Sequence, residues 1–271
     1  MRKQLGAIVG GLLILTACSG EEEAGGTDDQ QDITIGATAG PYSDMLSSAI
    51  VPGLEEKGYN VDIQEFSDYV YPNNALANEE IDANLFQHTV YLENFTEQNN
   101  LDLVGLIAVP TAPMGLYSEA YETIEDIENG DEIAIPNDPT NAARAFMILE
   151  EAGLIGFEDG IDELTASARD ITDNPLDLQF VELEAAQLPR QVGSSEITAV
   201  PGNFALSANL DLLEALELED MPDQYRNVVA VRAEDEESTL ANDIVEVIQS
   251  EQFEETIDEE FEGFGKPEWM E

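Results

Sequence analysis

The sequence predicts an α/β fold with a largely parallel sheet, and three stretches carry that prediction. Ile33, Thr34, Ile35 and Gly36 alternate as a strand, Gly40-Pro41 makes a turn, residues 42–57 carry a helical pattern, and Val61, Ile63 and Phe66 form a second strand. A strand–helix–strand unit of this length is the signature of parallel pairing. Residues 132–135 form a short strand rich in β-branched residues, closed by Pro136 and followed at once by a helix over 138–153. Residues 101–109 form a strongly apolar strand that Pro110 and Pro113 interrupt before extended structure resumes at 114–117, as in a chain crossing between two lobes. The length of 271 residues admits one large domain or two lobes.

The remaining elements follow in order. Pro52 breaks or kinks the first helix, and residues 66–73 form a loop with two exposed tyrosines, Tyr69 and Tyr71. Residues 74–80 are helical, 81–86 a strand, and 87–98 a helix holding His88 and Tyr91. A short helix is expected at 121–129, a turn at 170–175, a strand at 178–183 and a short helix from Gln187. A strand at 197–200 turns through Pro201-Gly202 into a further helix. Val228 to Val231 read as a buried strand, and one amphipathic helix over 240–253 closes the chain. The helix after Pro136 is the best punctuated. Asp138 suits its N-cap, Pro139 its first position and Gly153 its C-terminal stop.

Composition narrows the possible partners. Hydrophobic residues make up 43 %, enough for a buried core, while 59 acidic residues face only 9 basic ones, a net charge of −50. Phosphate would be repelled, so nucleic acid is not expected as a partner. The acidic residues are spread along the chain rather than gathered in a tail, which points to a solvated folded surface adapted to high salt.

Residues 1–17 read as a signal peptide. Arg2 and Lys3 precede an apolar run of 11 residues, Leu5 to Leu15, too short to span a bilayer. The run ends Leu15-Thr16-Ala17-Cys18, which resembles a bacterial lipoprotein signal; the resemblance implies cleavage before Cys18 and lipid, such as palmitate, on its sulfur. Removing residues 1–17 leaves 7 basic against 59 acidic residues, net −52. Residues 18–31 are rich in Glu, Gly and Asp and read as a flexible tether. Cys18 is the only cysteine, so intrachain disulfides and cysteine-based metal sites are excluded.

Enzyme readings find little support. One His and one Cys, the latter assigned to lipid, leave no Cys–His pair, and the chain has no Gly-x-Ser-x-Gly elbow, P-loop or Gly-x-Gly-x-x-Gly. No EF-hand-like run singles out a metal site, and no cofactor is expected. Binding is better supported. With Asp138 as cap, Asn141 and Arg144 share one face of the first helical turns, beside unpaired backbone N–H groups suited to a small carboxylate. Tyr69, Phe86, His88 and Tyr91 fall at the C-terminal ends of two strands, where open α/β folds line their ligand crevice. Three aromatic rings and an imidazole make an apolar slot with polar handles.

Several runs carry a closer resemblance. They are Phe66-Ser67-Asp68-Tyr69-Val70 with Pro72-Asn73, Asp82-Ala83-Asn84-Leu85-Phe86-Gln87-His88, and Ala134-Ile135-Pro136-Asn137-Asp138-Pro139-Thr140-Asn141 with Arg144. Asp170-Ile171-Thr172 with Asn174-Pro175 and Val181-Glu182-Leu183-Glu184-Ala185-Ala186-Gln187-Leu188-Pro189-Arg190 complete the set. From Ile33 onward the chain resembles the NlpA lipoprotein family, the methionine-binding (MetQ-type) substrate-binding proteins of ABC importers. Two departures stand together: Pro201 replaces a more aliphatic residue, and Phe204 stands where a Tyr is usual.

The resemblance implies a two-lobe, periplasmic-binding-protein-like (type II) α/β fold with a ligand cleft between the lobes. Lobe one would be 32–112 plus 203–271, and lobe two 113–202. Arg144 would hold the ligand carboxylate, Asn141 and Asn203 would bind the α-carboxylate and α-amino end, and Tyr69, Phe86, His88 and Tyr91 would wall the thioether. The implied role is a monomer anchored outside the cell membrane by lipid on Cys18, delivering methionine, its D-isomer or a methionine dipeptide to an importer permease and its ATPase. A binding protein of the same fold for another small ligand, or a surface scaffold or adhesion lipoprotein, are the alternatives.

Overall fold

The computed structural model describes residues 31–158 and 160–270; the expected signal peptide, Cys18 and nearly all of the tether lie outside them. The first lobe opens with β1 (Gln31–Thr38), which begins at the last residue assigned to the tether. The following helix is continuous in path but not in pitch: α1 (Pro41–Met45) and α2 (Val51–Glu56) flank one π turn over Leu46–Ile50. Pro52 explains the wide turn. Its ring would strike the carbonyl four residues back, and the chain avoids this by letting the Val51 N–H reach five residues back to Leu46.

β2 (Tyr59–Phe66) and α3 (Tyr71–Ala77) follow, α3 starting three residues earlier than expected with Pro72 in its first turn. β3 (Ala83–His88) then leads into α4 (Thr89–Asn99), and β4 (Leu103–Val109) ends the first pass through this lobe. The helix expected over 87–98 therefore loses its first two residues to the strand. His88 is the N-cap rather than a helical residue, because its imidazole accepts the Tyr91 N–H.

After the Pro110–Pro113 stretch the chain enters the second lobe with β5 (Gly115–Tyr117). The short helix expected at 121–129 is only a single 3₁₀ turn at Ile124–Asp126. β6 (Glu132–Pro136) leads into α5 (Pro139–Glu151) as expected, with the Asp138 carboxylate accepting the Asn141 N–H at 2.9 Å and Gly153 in the left-handed region at φ 72°. β7 (Gly156–Phe157) pairs with β8 (Ile171–Asp173), so part of the expected turn at 170–175 is a strand. β9 (Gln179–Leu183), a 3₁₀ segment at Ala185–Arg190, β10 (Ile197–Val200) and α6 (Gly202–Ser207) come next.

β11 (Glu217–Leu218) pairs with β5, so the second sheet still holds the chain there and its return to the first lobe comes after Leu218, not at residue 203. Packing is the reason. Ala205, Leu206, Leu210, Leu212, Ala215 and Leu218 share one apolar cluster with Tyr117, Ala134, Leu188 and Val200. β12 (Asn227–Arg232) rejoins the first sheet. The single closing helix is two, α7 (Thr239–Ile248) and α8 (Glu251–Glu260), because Ser250 caps a new start through the Phe253 N–H.

Two five-stranded sheets result, β2-β1-β3-β12-β4 and β11-β5-β10-β6-β9. β1 runs parallel to β2 and β3, and β6 parallel to β9 and β10, while β12 and β5 run antiparallel to their neighbours. Each sheet has its own apolar core, one around Ile35, Leu46, Leu85 and Phe253, the other around Ile133, Phe146, Leu149 and Ile197. The end of β3 and the starts of α5 and α6, the helices that follow β6 and β10, meet at one cavity between the lobes.

Candidate functional site

All seven residues expected at the site line one cavity: Tyr69, Phe86, His88 and Tyr91 from the first lobe, Asn141, Arg144 and Asn203 from the second. Between the protein atoms it leaves about 310 Å³ of empty space, part of it continuous with solvent. Tyr42, Gln87, Thr111, Ala112, Gly202 and Asn227 complete the lining.

One end is an aromatic box. The Tyr69 ring lies 5.9 Å from Phe86 and 5.8 Å from Tyr91, and Phe86 stands edge-on to Tyr91 at 6.0 Å. These tilted and edge contacts are the arrangements ring quadrupoles favour. Phe204 packs behind Tyr69 at 4.9 Å, which gives a purely apolar role to the ring that replaces the usual Tyr. Of the two tyrosines expected to be exposed, Tyr71 is 67 % exposed, but Tyr69 turns inward. Its hydroxyl donates to Asn203 Oδ1 at 2.6 Å, and its carbonyl accepts the Tyr91 hydroxyl at 3.0 Å. Beneath the box, Asn73, Asn84 and Gln87 form a closed amide network; Asn73 and Gln87 exchange two bonds of 2.7 Å. That network locks β3 to α3 and fixes the rings above it.

The other end is polar. Asn141 sits at its centre, with Nδ2 donating to both Asp138 oxygens, at 3.0 and 3.1 Å. Its Oδ1 faces His88 Nε2 at 3.3 Å and accepts from Arg144 Nη1 at 3.0 Å. Because His88 Nδ1 accepts the Tyr91 N–H at 3.0 Å, the neutral ring must carry its proton on Nε2 and donate to Asn141. This bond joins the two lobes. Burial, and then the Arg144 charge, hold the His88 pKa well below its usual range, so the imidazole is neutral. Burial likewise pushes the Tyr42 hydroxyl up to about 12 and Tyr69 well above its usual value.

Arg144 is not free, contrary to the simplest reading of its helix position. Its Nε and Nη2 donate to Glu219 Oε1 and Oε2 at 2.7 and 2.5 Å, and its guanidinium lies 5.4 Å from the centroid of the Tyr225 ring. Burial works against its charge, but the Glu219 carboxylate outweighs that and raises its pKa. Three of its five N–H groups are thus engaged, leaving one on each terminal nitrogen. The α5 start is likewise occupied by Asp138 and does not stand open as an anion site. Glu219 and Asn227 were not legible in the sequence: Glu219 is one of 59 acidic residues, and Asn227 belongs to a strand whose lobe only the return of the chain decides.

An enclosed slot, aromatic at one end and guanidinium-lined at the other, suits a small molecule with an apolar tail and a carboxylate. Known proteins resemble this chain along most of its length. The D-methionine-binding lipoprotein MetQ of Salmonella typhi is 31% identical over 268 residues, covering 98% of this chain and 96% of that protein. A periplasmic substrate-binding protein of an ABC transporter from Coxiella burnetii superposes with a TM-score of 0.81 at 36% identity, over 86% of this chain and 99% of that one. A nutrient binding protein from Burkholderia cenocepacia, solved bound to methionine, superposes with a TM-score of 0.80 at 36% identity, over 85% of this chain and 97% of that one. The family model of the NlpA lipoproteins matches residues 33–269, and the chain belongs to that family.

Proposed function

We propose that this chain binds methionine between its lobes and delivers it to an ABC importer, acting in transport and not as an enzyme. The observation that carries the reading is the cavity itself, in which four aromatic residues face an arginine with two unengaged N–H groups. Relatives named for methionine binding, and a structural neighbour solved with methionine, support the same ligand. In this reading Arg144 holds the α-carboxylate. Asn141 and Asn203 serve the α-carboxylate and α-amino end, joined by Asn227. Tyr69, Phe86, His88 and Tyr91 wall the thioether, whose sulfur packs favourably against ring edges. The lobes close on the ligand, and the closed form docks on the permease. Lipid on Cys18 anchors a monomer outside the membrane, with residues 18–30 as tether. A zwitterion carries no net charge, so the acidic surface does not repel it.

The test is calorimetry in molar salt on protein refolded to strip carried-over ligand. Sub-micromolar, one-to-one binding of L-methionine is expected. The name of the Salmonella relative makes D-methionine the competing ligand, and tighter binding of that isomer would reverse the stereochemical assignment. Folded protein that binds neither isomer nor a methionine dipeptide would overturn the reading.

A further inference from the structure

Arg144 and Glu219 form the most deeply buried ion pair among the described residues, with side chains 5 % and 3 % exposed. Each of the other pairs has a partner at least one-fifth exposed. Glu219 is also fixed to the segment that crosses between the lobes. Its Oε2 accepts the Met114 N–H at 3.0 Å, and its own N–H donates to the Met114 carbonyl at 3.0 Å. Glu219 does not line the cavity, so it reaches the ligand only through Arg144. It is a positioning residue rather than a contact.

The pair has a consequence for charge. A lone buried guanidinium would make the polar end of the cavity cationic and would favour any carboxylate. Here the guanidinium is neutralised along its Nε edge. His88, facing it through Asn141, is neutral, and the tyrosine hydroxyls lining the cavity keep their protons. Asp138 adds a second negative charge, one residue removed through Asn141. A ligand with net negative charge therefore brings an uncompensated charge into a buried site, and a zwitterion does not.

We propose that Glu219 sets the charge class of the ligand, selecting the zwitterionic amino acid over the deaminated carboxylate with the same side chain. The proposal rests on the methionine reading and deepens it.

The experiment measures the dissociation constants of methionine and of 4-(methylthio)butanoate, which lacks the ammonium, for the full chain in detergent and for Glu219→Gln and Glu219→Asp. The unaltered chain is expected to prefer methionine. Removing a unit charge beside Arg144 should shift the ratio of the two constants toward the anion by about tenfold or more in Glu219→Gln. Glu219→Asp, which keeps the charge, should weaken both ligands and preserve the ratio. A ratio unchanged in Glu219→Gln, with both affinities reduced alike, overturns the proposal and leaves Glu219 a mechanical support. If Glu219→Gln does not fold, thermal shifts of the unaltered chain decide: a rise in unfolding midpoint with methionine but not with the acid supports the proposal, and equal rises overturn it. Failure of the unaltered chain to bind methionine at all would instead refute the parent reading, and this proposal with it.

Discussion

Arg144 joins three kinds of partner at once: a carboxylate, an amide and the face of a tyrosine. Arg144→Ala is expected to cost at least about 2 kcal/mol of methionine binding, because a ligand carboxylate is left unpaired. The same change strands Glu219 as a buried charge, so stability should fall by about 3 kcal/mol. Calorimetry and urea unfolding read the two losses separately, and unchanged affinity would remove Arg144 from the site. His88 gives a second prediction. It is the only histidine in the chain, and its folded pKa lies below the unfolded value. The unfolded chain therefore binds the proton first, and stability is lost as pH falls below about 6.5, with a slope approaching about 1.4 kcal/mol per pH unit. Urea midpoints at pH 7 and pH 5 in molar salt test this, and a His88→Gln variant with an undiminished pH dependence would contradict it. Local spacing made Asn141 and Arg144 legible, since both follow a capped helix start. Glu219 lies 75 positions from Arg144 and was hidden by the abundance of its own residue type.

Helix starts and close approaches govern the next scale. Gly202, first in α6, lies against the crossing segment: an added Cβ would strike the Pro113 carbonyl oxygen and come within 2.7 Å of the Ala112 carbonyl carbon. Backbone cannot retreat as a flexible side chain can, so Gly202→Ala is expected to cost about 1–3 kcal/mol of stability. It should also weaken ligand binding, since Gly202, Asn203 and Ala112 all line the cavity. Thermal unfolding and ligand titration of the variant check both effects, and a native-like midpoint would place the crossing segment elsewhere. Elements with strong local punctuation were legible at this scale. Asp138-Pro139 opens a helix wherever it lies, and alternating apolar runs such as Val228 to Val231 make strands. The misread elements depended on single capping contacts or distant pairing. Ser250 splits the last helix through one hydroxyl, and Ile171–Asp173 is a strand only because Gly156–Phe157 lies beside it.

At the scale of the molecule, a prolined crossing at 110–113 signalled two lobes, while the return crossing had no comparable punctuation. Its position was decided by the packing of Leu206 to Leu218 on the second lobe. Charge is the other property of the whole. The ion pairs among the described residues engage only seven of the chain's 59 carboxylates, as Asp223, Asp235, Asp243, Asp258, Glu219, Glu246 and Glu254. All but the buried Arg144–Glu219 pair have a solvent-exposed partner and contribute little each, so they cannot offset a net charge of −50. Repulsion among the remaining carboxylates acts over a Debye length of about 8 Å at ordinary ionic strength and about 3 Å at molar salt. The folded chain holds those charges closer together than the unfolded chain does, so screening favours folding. The unfolding midpoint is therefore expected to rise steeply between dilute buffer and molar NaCl. An anion-independent rise, equal for chloride and nitrate, would mark screening as the cause, and a midpoint that is the same in dilute buffer would refute the salt-adapted reading of the surface.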